Sequence, residues 1–150
     1  MDSDFTPGDG VLAQILAETR TIAMIGASDD PERPSFRVMR YLQSVGYRVI
    51  PVNPAIDADE LNGERVYASL ADIDMPYELV DVFRRTEAIP GVMDEILAAA
   101  KTHGTRFVWL QLGIRDNVSA SKARDAGLVV VMDRCLKIEH VRLFGQAAAK

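Results

Sequence analysis

Two short stretches of this sequence carry residue types suited to gripping an anion, and a third invites a catalytic reading. The first is Gly26-Ala27-Ser28, which closes an apolar run and leads through a polar loop to Ser35. Glycine lets backbone approach a ligand closely, and a serine hydroxyl beside a helix start favours a phosphate. Only the first glycine of a G-x-G-x-x-G fingerprint is present, and a tight turn with no ligand would read the same way. The second stretch is Arg84-Arg85, because guanidinium groups meet phosphate through forked hydrogen bonds. Side chains alternate along an extended segment, so one of the two is expected to point away or to pair with Glu87. The third is Asp133-Arg134-Cys135. A cysteine at a helix start can be a nucleophile, but only His140 lies near it in sequence, and a buried structural thiol is the simpler reading.

What is missing narrows the chemistry. Chains that bind NAD carry Asp or Glu near the end of their second strand to hold the ribose. Here that end reads Val52-Asn53-Pro54, and the nearest arginine, Arg48, falls at the strand's start, which counts against NAD and NADP together. Asp29-Asp30 resembles the acidic pocket of a receiver domain, but such a fold also wants Asp at the end of its middle strand, where this chain has Phe83-Arg84. There is no nucleophile elbow, no H-E-x-x-H and no Walker lysine. Cys135, His103 and His140 are too scattered for a zinc site. Both histidines read as helix-surface residues and Trp109 as core. The single cysteine excludes an internal disulfide.

The 150 residues predict one domain over 1–150, with a loose N-terminus over 1–8. The 17 basic and 22 acidic side chains leave a net charge of −5, which speaks against nucleic acid or an anionic membrane as partner. A small anionic ligand needs only one local site. The chain opens with Asp2 and Asp4 rather than a basic, then apolar, leader, and no apolar run approaches the ~20 residues of a membrane span. The expected setting is cytoplasmic.

The elements that must position these residues follow from periodicity. Val11, Leu12, Ile15 and Leu16 suggest a helix from near Asp9 to before Arg20. Strands are predicted at Thr21–Gly26, Tyr47–Val52, Glu78–Phe83, Phe107–Leu112 and Leu128–Met132, with Val66-Tyr67 as a short edge strand. A helix capped by Ser35 ends at Gly46, and one with Pro90 in its first turn ends at Gly104. Another closes at Gly127, and Ile138, Val141 and Leu143 suggest a terminal helix. Strands of near-continuous apolar character alternating with helices mean an α/β fold: a doubly wound parallel sheet of about five strands with helices on both faces. Ligands in such folds bind outside the carboxyl ends of the strands.

Several blocks in order then resemble the small stand-alone CoA-binding proteins. They are Ile25-Gly26-Ala27-Ser28, Arg33-Pro34-Ser35, Tyr41-Leu42 and Gly46 through Pro54, which includes Pro51. Asp81 through Arg85, Val108 through Ile114, and Val131 through Cys135 with Lys137-Ile138-Glu139 continue the match over about residues 12–144. The resemblance implies a Rossmann-like domain related to the CoA-binding part of the succinyl-CoA synthetase α subunit. It implies that Gly26, Ala27 and Ser28 form a pyrophosphate-facing turn and that Asn53 and Pro54 line the nucleotide side. Phe83 and Arg84 would flank the cleft, and Gln111 and Gly113 would face the pantetheine arm. Ser35, Phe36, Pro51, Arg85 and Ile114 complete the candidate cofactor-binding set. The synthetase's phosphorylated histidine lies in a second domain, so its ligase activity is not implied. Two departures stand out: Leu136 where relatives commonly have Pro, and Pro34 and Phe36 where many carry Lys or Tyr. The first touches a helix start; the second implies weaker CoA binding if that Lys meets a phosphate.

The expected function is therefore binding of coenzyme A or an acyl-CoA, without chemistry of its own, by a monomer or weak homo-oligomer. The alternative is a small nucleotide-dependent enzyme: an NAD(P)- or FAD-type oxidoreductase, or a component of a CoA transferase or ligase. On sequence alone, a β-branched residue at Gly26 is expected to abolish binding without unfolding the chain.

Overall fold

In the computed structural model, which describes residues 7–145, the alternation of strand and helix resolves into a three-layer Rossmann-like α/β fold. The strands are β1 (Thr21–Ile25), β2 (Arg48–Val52), the short β3 (Glu60–Leu61) and β4 (Glu64–Arg65), β5 (Leu79–Val82), β6 (Phe107–Leu110) and β7 (Val129–Val131). The helices are α1 (Asp9–Glu18), α2 (Pro34–Ser44), α3 (Ile89–His103), α4 (Asn117–Asp125) and α5 (Leu136–Phe144). The main sheet is parallel, in the order β2-β1-β5-β6-β7. Every residue of β5 and β6 is buried, as are all of β1 and β2 beyond their first residues. Two-sided burial is why these strands read as unbroken apolar runs.

One face of the sheet packs Ala23, Ile25, Val80 and Val108 beneath α3, α4 and the 67–77 segment. The other packs Ile22, Met24, Leu79 and Trp109 beneath α1, α2 and α5. Fully burying one such side chain contributes about 1.5–3 kcal/mol. From β1 the chain first moves outward to β2, then returns to place β5 on β1's other side. The carboxyl ends of β1 and β5 therefore flank the topological switch point, where ligands of open α/β sheets sit.

Several local expectations change. The cap of α2 is Arg33, not Ser35, because Pro34 takes the first helical position that proline favours. The Val66-Tyr67 edge strand shrinks to one parallel bridge between Val52 and Tyr67. The β3–β4 hairpin was not anticipated; its signal is Asn62-Gly63, both at positive φ as a tight hairpin turn requires. His103 and His140 are buried, not on the surface. The ring nitrogens of His103 lie 2.8 Å and 2.7 Å from the carbonyl oxygens of Ala99 and Ile73, tying α3 to the 67–77 segment. His140 Nδ1 lies 2.7 Å from the Tyr41 hydroxyl, with the Tyr41 and Tyr47 rings edge-on to it, and burial lowers its pKa. Trp109 is fully buried, and its indole N–H donates to the Arg134 carbonyl at 2.8 Å. Of the loose N-terminus expected over 1–8, residues 1–6 lie outside the described residues; Pro7 is buried and Gly8 caps α1.

One core position breaks the apolar rule. Asp81 is fully buried in β5, between Met24 of β1 and Trp109 of β6, and neither carboxylate oxygen has a hydrogen-bond partner among the described residues. Burial alone pushes its pKa well above the ordinary carboxylate value. The folded state then holds a proton that the unfolded chain releases above its own pKa of 3.8. Stability attributable to this group is thus greatest at low pH and falls as pH rises, by about 1.4 kcal/mol per unit between the two pKa values. Asp81→Asn removes this titration while keeping the side chain's size. Urea denaturation from pH 4 upwards should give a flatter stability profile for the variant, with its advantage growing toward neutral pH.

Candidate functional site

The carboxyl ends of β1, β2, β5 and β6 open into a cavity of about 1030 Å³. Its walls are the turn after β1, the start of α2, the residues after β2, β5 and β6, and the first turns of α5. The cavity brings together Gly26, Ala27, Ser28, Ser35, Asn53, Pro54, Phe83, Arg84, Arg85, Gln111 and Ile114 from the candidate set. Phe36, Pro51 and Gly113 are not among its lining. Phe36 instead borders a shallow depression with Arg40, Tyr41 and Lys137. Pro51 is buried within β2, pairing with Met24. Gly113 hands its N–H to Asp133, while its neighbours Leu112 and Ile114 face the cavity.

The turn after β1 is held from both sides. Gly26 donates to the Val52 carbonyl at 2.9 Å, and Phe83 donates to the Ile25 carbonyl at 2.9 Å, so β1 remains zipped to both neighbours to its last residue. A Cβ at Gly26 would overlap the Phe83 carbonyl oxygen, and φ there is +82°. Glycine is thus required by packing between β1 and β5 before any ligand is considered. The Asn53 side-chain amide donates to the Ala27 carbonyl at 2.8 Å and accepts from the Ala55 N–H at 2.9 Å. Because a peptide is planar and trans, fixing the Ala27 carbonyl toward β2 turns the N–H of Ser28 the opposite way. The N–H groups of Ala27 and Ser28 donate to no acceptor among the described residues. The Ser28 hydroxyl oxygen accepts from the Asp30 N–H at 3.0 Å, and the Asp30 carboxylate accepts from the Glu32 N–H at 2.9 Å, folding the loop into α2.

Opposite this turn stand Arg84 and Arg85. Both border the cavity, where the chain leaves β5 at Val82 and enters a 3₁₀ turn at Thr86–Ala88. Both are exposed, and neither side chain makes an ion pair or hydrogen bond among the described residues, Glu87 included. Arg33 joins them in the lining, alongside Asp29 and Asp30, and its guanidinium lies 3.9 Å from Asp30. Free backbone donors and unpaired guanidinium groups across one cleft suit a phosphate-bearing ligand.

The far end of the cavity is different. Toward β6 and α5, Leu112, Ile114, Cys135 and Ile138 make it largely apolar. Gln111 is buried there and its side-chain oxygen accepts from the Leu136 N–H at 3.3 Å, a donor that a proline at this position would lack. Cys135 caps α5 with its side chain nearly buried, and the neighbouring imidazole of His140 is engaged with Tyr41. No cluster of three metal-ligating side chains occurs among the described residues. Besides Arg33, Val38, Leu112 and Ile138, the cavity is lined by Asp29, Asp30, Pro34, Ala55 and Cys135, none of them in the candidate set. Leu112 lay between two residues already singled out; Val38 and Ile138 sit on helices and carry no local signal.

Comparison with known proteins follows this geometry. The family described as a CoA binding domain matches residues 20–141. The chain is 39% identical over 134 residues to the uncharacterized protein YneT of Bacillus subtilis (strain 168), covering 89% of this chain and 95% of that one. A solved structure from Thermus thermophilus is 44% identical, with a TM-score of 0.85 over 92% of this chain and all 100% of the other. The dinucleotide-forming acetyl-coenzyme A synthetase 1 of Ca. Korarchaeum cryptofilum, solved with phosphate and ADP, is 25% identical with a TM-score of 0.61. There the likeness spans 73% of this chain but 25% of the synthetase.

The packing at Gly26 changes what its substitution should do. Gly26→Ala should cost ~2–4 kcal/mol of stability, from the left-handed backbone and the overlap with Phe83 together. A denaturant midpoint lowered before any ligand is added would show this, whereas an unchanged midpoint would restore a purely ligand-facing role.

Proposed function

The chain belongs to the CoA binding domain family, and from that premise we propose that it binds coenzyme A or an acyl-CoA across the carboxyl ends of its parallel strands. The observation that carries this reading is that Arg84 and Arg85, which make no ion pair among the described residues, line the same cavity at the switch point as Ala27 and Ser28, whose N–H groups donate to no acceptor among those residues. In this reading the turn after β1 and the two arginines take the phosphates. Asn53 and Pro54 border the nucleotide, and the pantetheine arm runs toward Gln111 and Ile114. Asn53 acts as a positioning residue, since both ends of its amide are spent on the Ala27 carbonyl and the Ala55 N–H.

The reading assigns the protein to carriage or sensing of the ligand in the cytoplasm rather than to bond making. It is also favoured over a dinucleotide-dependent oxidoreductase, since the residues that border the cavity after β2, Asn53 through Ala55, bring no carboxylate to a ribose.

Calorimetric titration with CoA, 3′-dephospho-CoA and NAD tests the proposal. Saturable binding of CoA, weakened by loss of the 3′-phosphate and absent with NAD, is expected. Arg84→Ala should weaken CoA binding by about 10- to 100-fold, the worth of one charge-assisted hydrogen bond. Binding of NAD in place of CoA would overturn the reading in favour of a dinucleotide enzyme.

A further inference from the structure

The two ends of the cavity differ in chemistry. The end between β1, β2 and β5 carries the arginines, aspartates and free amides, whereas the end at β6 and α5 carries aliphatic side chains. Two of those, Leu112 and Ile138, are 60% and 52% exposed, so nothing among the described residues covers them. Isolated surface leucines need no explanation, but Leu112 is presented by a turn built from several constraints. Gly113, at φ +87°, donates its N–H to the Asp133 carboxylate at 2.6 Å. Ile114 donates to the Gln111 carbonyl at 2.9 Å, and Asp133 returns its own N–H to the Ile114 carbonyl at 3.2 Å. Asp133 does this from φ +60°, a conformation that non-glycine residues adopt rarely and at a cost. The fold thus holds a strained residue whose visible effect is to fix Leu112 at the rim of the cavity, beside Ile114 and Ile138.

We infer that Leu112, Ile114 and Ile138 form a subsite for the aliphatic chain of an acyl thioester, so that the ligand class is medium-chain acyl-CoA rather than free CoA. The inference rests on the CoA reading above. It follows from continuity: a ligand anchored by its phosphates at the arginine end and extended along the strand ends brings its thiol terminus to the apolar end. A group attached at that sulfur would then lie against these three side chains. An aliphatic chain matches the uncharged Leu112–Ile114 turn, beside which the Asp133 carboxylate accepts from Gly113 and the Asp116 carboxylate accepts from Ser119.

Titration of the full chain with CoA, acetyl-CoA and octanoyl-CoA, all below the micellar range, distinguishes the outcomes. Octanoyl-CoA should bind about tenfold tighter than CoA, the return on roughly two buried methylenes, with acetyl-CoA close to CoA. In a Leu112→Ser, Ile138→Ser variant the ratio of octanoyl-CoA to CoA affinity should fall to near one. Val118→Ser, at a residue 78% exposed and away from the cavity, should keep the tenfold ratio and serves as a folded control. Equal affinities for CoA and octanoyl-CoA in the natural chain would overturn the acyl subsite and leave the CoA reading standing. A preference that survives in the double variant would overturn its location, and no binding of either ligand would overturn both readings.

Discussion

The Phe83 carbonyl occupies the space where a side chain on Gly26 would stand, and this close approach governs how β1 and β5 part at the centre of the sheet. With no Cβ there, β1 keeps hydrogen bonds to both neighbours through its last residue and then turns at once toward α2. Phe83 is held at the cavity wall, and the chain after it enters the 3₁₀ turn at Thr86–Ala88 with Arg84 and Arg85 in the cavity lining. A bulkier residue would push the strand ends apart and separate the amides of the turn from the guanidinium groups facing them. The glycine is therefore first a packing requirement, and its contribution to ligand approach is a consequence of that packing.

Around this centre the chain divides its labour by position along the strand ends. A molecule with a net charge of −5 nevertheless places three arginines on one cavity, two of them without ion-pair partners among the described residues. Elsewhere on the surface Arg48 pairs with Glu64, Arg106 with Glu18, and Arg142 with Asp9 and Glu139. Leaving Arg84 and Arg85 unpaired preserves their forked donors for an incoming anion, because no internal contact has to be broken first. Toward α5 the same cavity becomes aliphatic, and the hydrogen bonds that shape that end are made by Asp133, Arg134 and Gln111 to backbone. The block that looked most like a reactive site in the sequence is in this respect a clamp.

The architecture was legible because burial on both sheet faces leaves unbroken aliphatic runs, and the five strands fall where those runs lie. The resemblance to CoA-binding proteins added the ligand class, which the family match supports. What was hidden depended on interactions between distant residues. Nothing local reveals that Asn53 holds the Ala27 carbonyl, that Asp81 is buried without a hydrogen-bond partner among the described residues, or that both histidines lie inside. The short 3₁₀ turn after Arg85 likewise carries no clear signal in the sequence. Val38 and Ile138 reach the cavity from helices, so only the packing of those helices on the sheet reveals them.

The central claim is that the ligand lies across the strand ends, between the turn after β1 and the bend after β5. Amide chemical-shift mapping during addition of CoA tests it most directly. The account predicts shifts concentrated at Gly26–Ser28, Phe83–Arg85 and Gln111–Ile114, with Gly104 and Thr105 at the opposite end of the sheet unmoved. Shifts centred instead on the depression beside Phe36, Arg40 and Lys137, with the strand ends unmoved, would contradict it.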